Sequence, residues 1–256
     1  VTTGIKSRIL KGAALALRAR IHLSYGQWSE AAEAANQVMG MNYKLFETEP
    51  TDKEMSDDDY SQFVTFANND DKKAFYKGLK SYEQQFWDTN KSNSEVILNS
   101  EFIPESYNYI ALYLLPSNAG GGWSSITPTV ELVNAYWKRD GKAFTPPTKE
   151  VRAKNYNKGK YTPEFLNEFK NRDTRLYASI LFPGAIWNPV MGKNTFTWNK
   201  GGPNISKTGY NYRKMVDPSN DVWHKEQDYP VIRYAEVLLT YAEAKNEASG
   251  PDNSVY

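Results

Sequence analysis

The chain is 256 residues long, with 31 Lys and Arg against 30 Asp and Glu, and it contains no cysteine. That length holds one large domain or two small ones without covalent staples, and the absence of thiols excludes disulfide scaffolds, cysteine nucleophiles and Cys-based zinc or iron–sulfur sites. A net charge of +1 lacks the basic excess of a phosphate-gripping nucleic-acid binder, and no apolar run approaches the ~20 residues of a membrane span.

Residues 5–25 are predicted to form a helix. Ile5, Ile9, Ala13, Leu17 and Ile21 recur every four positions, with Arg8, Lys11, Arg18 and His22 on the opposite side. Gly26 ends this helix, and Ser29 is placed to cap the next, with Glu30 and Glu33 in its first turn. Ala31, Ala35 and Val38 then make a narrow small-residue face before Gly40. The junction Gly26-Gln27-Trp28-Ser29-Glu30-Ala31 has the layout of a tetratricopeptide (TPR) turn, with Trp28 as the wedge between the helices. One such pair cannot bury its own face and needs neighbours.

Further along, residues 70–87 read as a helix with Phe75, Leu79, Tyr82 and Phe86 inward, and 95–103 as a strand. Thr127 with Pro128 opens a helix reaching Trp137, and Thr162 with Pro163 opens another reaching about Phe169. Residues 194–198 and 209–216 alternate like the two strands of a small β-hairpin. The last helix is expected over 231–248, begun near Pro230 and stopped at Gly250-Pro251, with Ile232, Ala235, Leu239 and Ala242 as its core stripe. Its partner helix is expected beyond Gly250. Segments 46–68, 104–126, 140–160, 183–193 and 217–228 read as loops, too rich in aromatics for disorder. Aromatics make up 14% of the chain, with 7 Trp, 18 Tyr and 11 Phe. Flat, amphipathic rings of this kind suit sugars, bases and Pro-rich peptides.

Four stretches, 14–39, 121–141, 172–184 and 228–251, resemble in this order the SusD/RagB family of surface lipoproteins of Bacteroidetes-type bacteria. The last, Pro-Val-Ile-Arg-Tyr-Ala-Glu-Val-Leu-Leu followed by Tyr-Ala-Glu-Ala, is the most specific. The family pattern Arg-Asp-Pro-Arg-Leu stands here with Thr174 in place of Pro. The resemblance implies a mainly α fold, a SusD-like α/α superhelix in which TPR-like helix pairs support long ordered loops. It also implies a non-enzymatic function without cofactor: capture of a nutrient, most often a glycan and in some members a peptide, and delivery to a SusC-like TonB-dependent transporter of the outer membrane. On this resemblance residues 1–256 are part of one domain, with a TPR-like pair at 1–45, a ligand-binding region at 46–228 and the first helix of a further unit at 229–256. An N-terminal portion carrying the lipid that anchors such proteins at the cell surface, and the remaining TPR units, are expected to lie outside it.

A sugar-binding lid needs aromatic faces for C–H/π stacking and planar polar groups for hydroxyls. Trp123 follows Gly120-Gly121-Gly122, a backbone able to hold an indole out from the scaffold. Trp187 and Trp198 flank a stretch in which Asn188, Asn194 and Asn199 offer amides. Trp123, Trp187, Trp198 and Asn188 are therefore the candidate ligand-binding residues, while Trp28 and Trp137 read as structural, as do Tyr210 and Tyr212 on one strand face. Arg172, Asp173 and Arg175 resemble a ligand clamp but are more often an Arg–Asp staple, and Arg233 and Glu236 read as scaffold pairs. The acidic run around Asp52, Glu54 and Asp57-Asp58-Asp59 lacks the EF-hand spacing and reads as a solvated loop. His22 and His224, the only histidines, have no ligand-spaced partners, and Gly192-Lys193-Asn194-Thr195 is wrongly spaced for a phosphate loop. Two alternatives stay open: a glycoside hydrolase with a carboxylate pair ~5–10 Å apart, and a TPR-type adaptor gripping a partner's peptide.

Overall fold

Small residues decide how the first helices meet. In the computed structural model, which describes residues 7–103, 107–119, 121–158, 162–187, 194–198, 201–218, 222–223 and 226–255, α1 (Lys11–Ser24) and α2 (Trp28–Met39) form an antiparallel pair. Thereafter come α3 (Asp52–Asp57), α4 (Asn69–Gln84), β1 (Val96–Ser100), α5 (Ile110–Leu114), α6 (Val130–Ala135), α7 (Lys149–Lys158), α8 (Pro163–Leu166) and α9 (Thr174–Ser179). The chain continues through β2 (Ile180–Leu181), β3 (Ile186–Trp187), β4 (Asn194–Thr195), β5 (Asn211–Tyr212), β6 (Tyr229–Arg233) and α10 (Tyr234–Ser249). The architecture is mainly α, as expected. It divides into two units, one of Val1–Phe46, Asp88–Asn108 and Glu226–Tyr256, the other of Glu47–Trp87 and Tyr109–Lys225.

In the first unit α2 packs against both α1 and α10. The buried residues of α1 are Gly12, Ala13, Ala16 and Ala19, which face Ala34, Ala35 and Val38 of α2. Short side chains let the backbones approach closely and exchange dispersion contacts over their whole length. The expected four-residue stripe of α1 is thereby corrected. Ala13 is buried, but Ile9, Leu17 and Ile21 are exposed, because the alanine face wins the close approach. α10 shows the same displacement: Val237, Thr240 and Ala244 are buried, whereas Leu239 is 71% exposed. Its neighbour is α2, with Ala31, Ala32 and Ala244 in one cluster.

Two boundaries move. Gly26, with φ +68°, makes the turn, but Gln27 rather than Ser29 occupies the N-cap of α2 and makes no side-chain cap bond. Trp28 is only half-buried and lies over Gly26. Residues 231–233, expected within the last helix, belong instead to a strand, and the helix begins at Tyr234. β6 pairs antiparallel with β1, matching Leu98 to Ile232 and Ser100 to Tyr229.

The second unit has an aromatic core. Tyr60, Phe63, Phe75, Tyr76, Tyr177 and Phe182 are buried together, and Phe169 stacks on Phe182 at 4.3 Å between centroids. α4 buries Phe75 and Leu79 as its periodicity predicts and adds Tyr76, while Tyr82 is half-buried and the buried Phe86 lies past the helix end; Asn68 caps it by accepting from the Asp71 N–H. Thr162 caps α8, with Pro163 in the first turn. α6 starts later than expected, capped by Thr129, and ends at Ala135 before Trp137. The predicted hairpin between 194–198 and 209–216 does not form. β4 pairs with β3, and β5 pairs with β2, so each strand takes an earlier partner. Segments read as loops hold α3, α5 and α7.

Candidate functional site

The Trp123 platform is built by backbone bonds. After α5 the chain turns through a short 3-10 segment at Ser117–Ala119, and Gly121 N–H donates to the Ser117 carbonyl at 3.1 Å. Trp123 N–H then donates to the Leu112 carbonyl at 2.7 Å, and Ser124 N–H to that of Leu115 at 2.9 Å. Gly122 makes this approach feasible: a Cβ there would lie 2.2 Å from the Leu115 carbonyl oxygen. Ser124 sits at φ +48°, and its Oγ accepts from Asn211 Nδ2 at 3.0 Å. The same nitrogen donates to the Leu114 carbonyl at 2.8 Å, and Asn211 is fully buried. Strand β5 thus pins both sides of the loop that carries the indole.

The indole itself is 44% exposed. Tyr113 lies 6.0 Å from it between centroids, and Trp223 lies 6.5 Å away with its plane turned by 88°. Trp223 is 54% exposed, and Tyr113 and Ile126 are also exposed beside it. Ile126 N–H donates to the Tyr113 carbonyl at 3.1 Å, so the segments carrying Ile126 and Tyr113 are held together beside Trp123. Tyr113 and Trp223 carry no local sequence signal of a site. They come from segments far apart in the chain, and only the Gly-rich signal before Trp123 pointed here.

The other candidates separate. Trp187 is a correction: it is 1% exposed, beneath the guanidinium of Arg213 at 5.6 Å, and offers no face to a ligand. Trp198 is half-buried, donates from Nε1 to the Ser206 carbonyl at 2.9 Å, and lines a cavity of about 270 Å³ with Tyr156, Phe165 and Tyr210. Asn188, like Gly120, Gly192, Lys193, Asn199 and His224, lies outside the described residues. Trp137, read as structural, is 56% exposed and lines a shallow hollow with Leu132, Tyr136 and Arg175.

Charged groups that looked available are committed to the scaffold. The acidic run is not a solvated loop: Thr51 and Glu54 form a capping box on α3, and Asp58 is buried. Asp58 pairs with Arg213 and with Lys80 (2.9 Å), while Glu83 pairs with Arg213 (2.6 Å) and Lys80 (3.2 Å). Burial opposes the charge on Asp58, but Arg213 and Lys80 outweigh it and hold the carboxyl below the usual range. Arg172 is also sealed. It donates to the carbonyls of Glu168, Val133 and Tyr136, stacks 3.5 Å over Phe144, and burial pushes it down to about 10. Its staple is made to backbone rather than to Asp173, which pairs with Arg175 at 2.7 Å. In the first unit Glu236 pairs with Arg20, and Arg233 with Glu95.

A larger cleft of about 780 Å³ is lined by Arg139, Asp71, Lys138 and Asn171. Arg139 and Asp71 are bonded to each other, and Phe144, an aromatic face there, is covered by Arg172. It lacks the open rings of the Trp123 surface. Among the described residues, no group of His, Asp or Glu is arranged to hold a metal, and no helix is long and apolar enough to cross a membrane.

The sequence profile of the SusD family matches residues 82–256. A SusD-like protein from Bacteroides fragilis superposes with a TM-score of 0.72 at 23% identity, over 97% of this chain and 45% of that one. A SusD-like carbohydrate-binding protein from the same species gives 0.64 at 26% identity, over 94% and 40%. A SusD superfamily protein from Parabacteroides distasonis gives 0.51 at 18%, over 100% and 43%. The chain therefore spans less than half the length of each. No curated protein matches.

Proposed function

Because this chain belongs to the SusD/RagB family, we propose that it contributes the glycan-gripping surface of a cell-surface nutrient-binding protein, with Trp123, Trp223 and Tyr113 as the stacking platform. The observation that carries this reading is the trio itself: three exposed rings side by side, with Trp123 on a loop whose backbone is fixed by Leu112, Leu115 and Asn211, Tyr113 on α5, and Trp223 against the Trp123 indole. Sugar rings present C–H groups on one face, and a ring of that face over an indole buries apolar area without asking for hydrogen bonds. Perpendicular indoles offer two such faces at an angle, which suits a curved oligosaccharide better than a flat one. The 26% identical Bacteroides fragilis neighbour, described as carbohydrate-binding, supports the ligand class.

Binding without turnover is the reading the charges favour. A hydrolase needs an acid kept protonated and a second carboxylate facing it. Asp58 and Glu83 are neutralised by Arg213 and Lys80, and Glu168 by Arg152. Asp228, whose carboxyl burial raises above the usual range, is occupied by the Phe102 N–H and the Asn99 amide. Delivery to a SusC-like TonB-dependent transporter, attachment to the outer membrane through a lipid, and display at the cell surface follow for the whole protein from its family.

Native mass spectrometry of the protein against plant, host and microbial glycans tests this. The expected result is reversible adducts of intact oligosaccharide. Release of reducing sugar contradicts the non-enzymatic reading, and binding of peptides in place of glycans contradicts the ligand class.

A further inference from the structure

The cavity beside Trp198 is a different kind of site from the platform. Five aromatic side chains, Tyr156, Phe165, Phe169, Trp198 and Tyr210, form its walls, with the Arg152–Glu168 ion pair among them. Tyr156 meets Trp198 edge to face at 5.5 Å and Phe165 at 6.1 Å, so the rings brace one another. The volume, about 270 Å³, is just under the ~300–1,000 Å³ of pockets for drug-sized ligands. It has room for one ring and a short tail.

Its polar side chains are Arg152, Glu168, Thr208 and the two tyrosines, and the Tyr156 hydroxyl donates to the Trp198 carbonyl at 3.4 Å. Glu168 is nearly buried and spends Oε2 on Arg152, whose Nη2 also reaches Asn134 Oδ1 at 2.7 Å. That leaves Glu168 Oε1 as an acceptor among the described residues. The Thr208 hydroxyl is engaged by the Pro128 carbonyl. The Tyr210 hydroxyl has no hydrogen-bond partner among the described residues, and burial pushes it up to about 12, so it remains a donor at neutral pH.

We infer that this cavity binds a single hydroxyl-bearing aromatic ring, a phenolic group of the kind carried on some glycans as a hydroxycinnamoyl ester. One phenolic hydroxyl is both donor and acceptor, and the lining offers it a donor in Tyr210 and an acceptor in Glu168. A pyranose would bring several hydroxyls against aromatic walls, and those left without partners cost about 1–3 kcal/mol each. A cation is disfavoured because Arg152 already neutralises Glu168. The ring site stands on its own geometry, whereas the polymer expected to carry the ring rests on the glycan reading above.

The test is a titration of the whole chain with methyl ferulate as the aryl probe and methyl β-glucopyranoside as the sugar probe, read by ligand-observed NMR. Methyl ferulate should bind, about fivefold more weakly to Tyr210→Phe, with undiminished affinity to Trp123→Ala, and not at all to Ala153→Trp. Ala153 lines the cavity and is exposed, so filling the space from that position leaves the core intact. Failure of methyl ferulate to bind, or binding unaffected by both Tyr210→Phe and Ala153→Trp, overturns the inference. Binding of the glucoside that Ala153→Trp abolishes overturns the ligand class. Should the glycan panel fail while methyl ferulate still binds here, the glycan reading falls and the ring site stands.

Discussion

Asn211 Nδ2 reaches Ser124 Oγ at 3.0 Å, and through that bond a fully buried strand residue sets the backbone next to the exposed Trp123 indole. The amide also satisfies the Leu114 carbonyl, at the end of the helix that supplies Tyr113. Replacing it by leucine leaves both oxygens without this donor. Asn211→Leu should lose about 1–3 kcal/mol in chemical denaturation and weaken glycan binding along with it. Retained affinity in a destabilised variant would show that the platform needs no such pin.

Gly122 makes a sharper case. Its missing Cβ would meet a backbone oxygen, which cannot swing aside as a side chain can. Gly122→Ala should cost about 1–3 kcal/mol as overpacking and displace Trp123, measured as a shifted indole emission and a loss of glycan affinity. Unchanged affinity would mean that the loop tolerates a different path.

The buried tetrad of Asp58, Glu83, Lys80 and Arg213 ties the segment after α3 to α4 and to the chain following β5. Removing one member leaves uncompensated charge, so Asp58→Asn should lose about 3–5 kcal/mol at neutral pH. By contrast Glu236→Gln, in a pair whose side chains are both about two-fifths exposed, should lose no more than about 1 kcal/mol.

The same tetrad predicts an acid limb. Asp58 has a depressed value in the folded state, so its contribution is complete above the unfolded value near ~4 and is lost as pH falls through the folded one. Denaturation midpoints recorded from neutral pH down to pH 2 should fall less steeply for Asp58→Asn than for the wild type. Parallel curves would show that Asp58 does not titrate with folding.

What was legible in the sequence was what local signals determine. The Gly26 turn, the α2 face of Ala31, Ala35 and Val38, the inward residues of α4 and the Thr162-Pro163 start all appear where spacing and caps put them. Where the sequence misled, tertiary competition decided. Ile9, Leu17 and Ile21 have the stronger hydrophobicity, but the alanine face of α1 permits closer packing, and so it is the buried one. β5 alternates well enough for a hairpin, but Ile180–Leu181 offers it a buried edge first. Trp187 and Trp123 are both tryptophans in aromatic loops, and no local pattern distinguishes the one that Arg213 covers from the one Gly122 holds outward. The Thr51-x-x-Glu54 capping box was the readable sign of α3.

Gripping of the ligand by the exposed rings around Trp123 is open to direct measurement. Calorimetric titration of wild type, Trp123→Ala and Trp223→Ala with whichever oligosaccharide binds in the glycan panel addresses it directly. Binding should be at least about tenfold weaker for each variant, the loss expected when an anchoring tryptophan is truncated, with the unfolding midpoint unchanged. Wild-type affinity in both variants would contradict it.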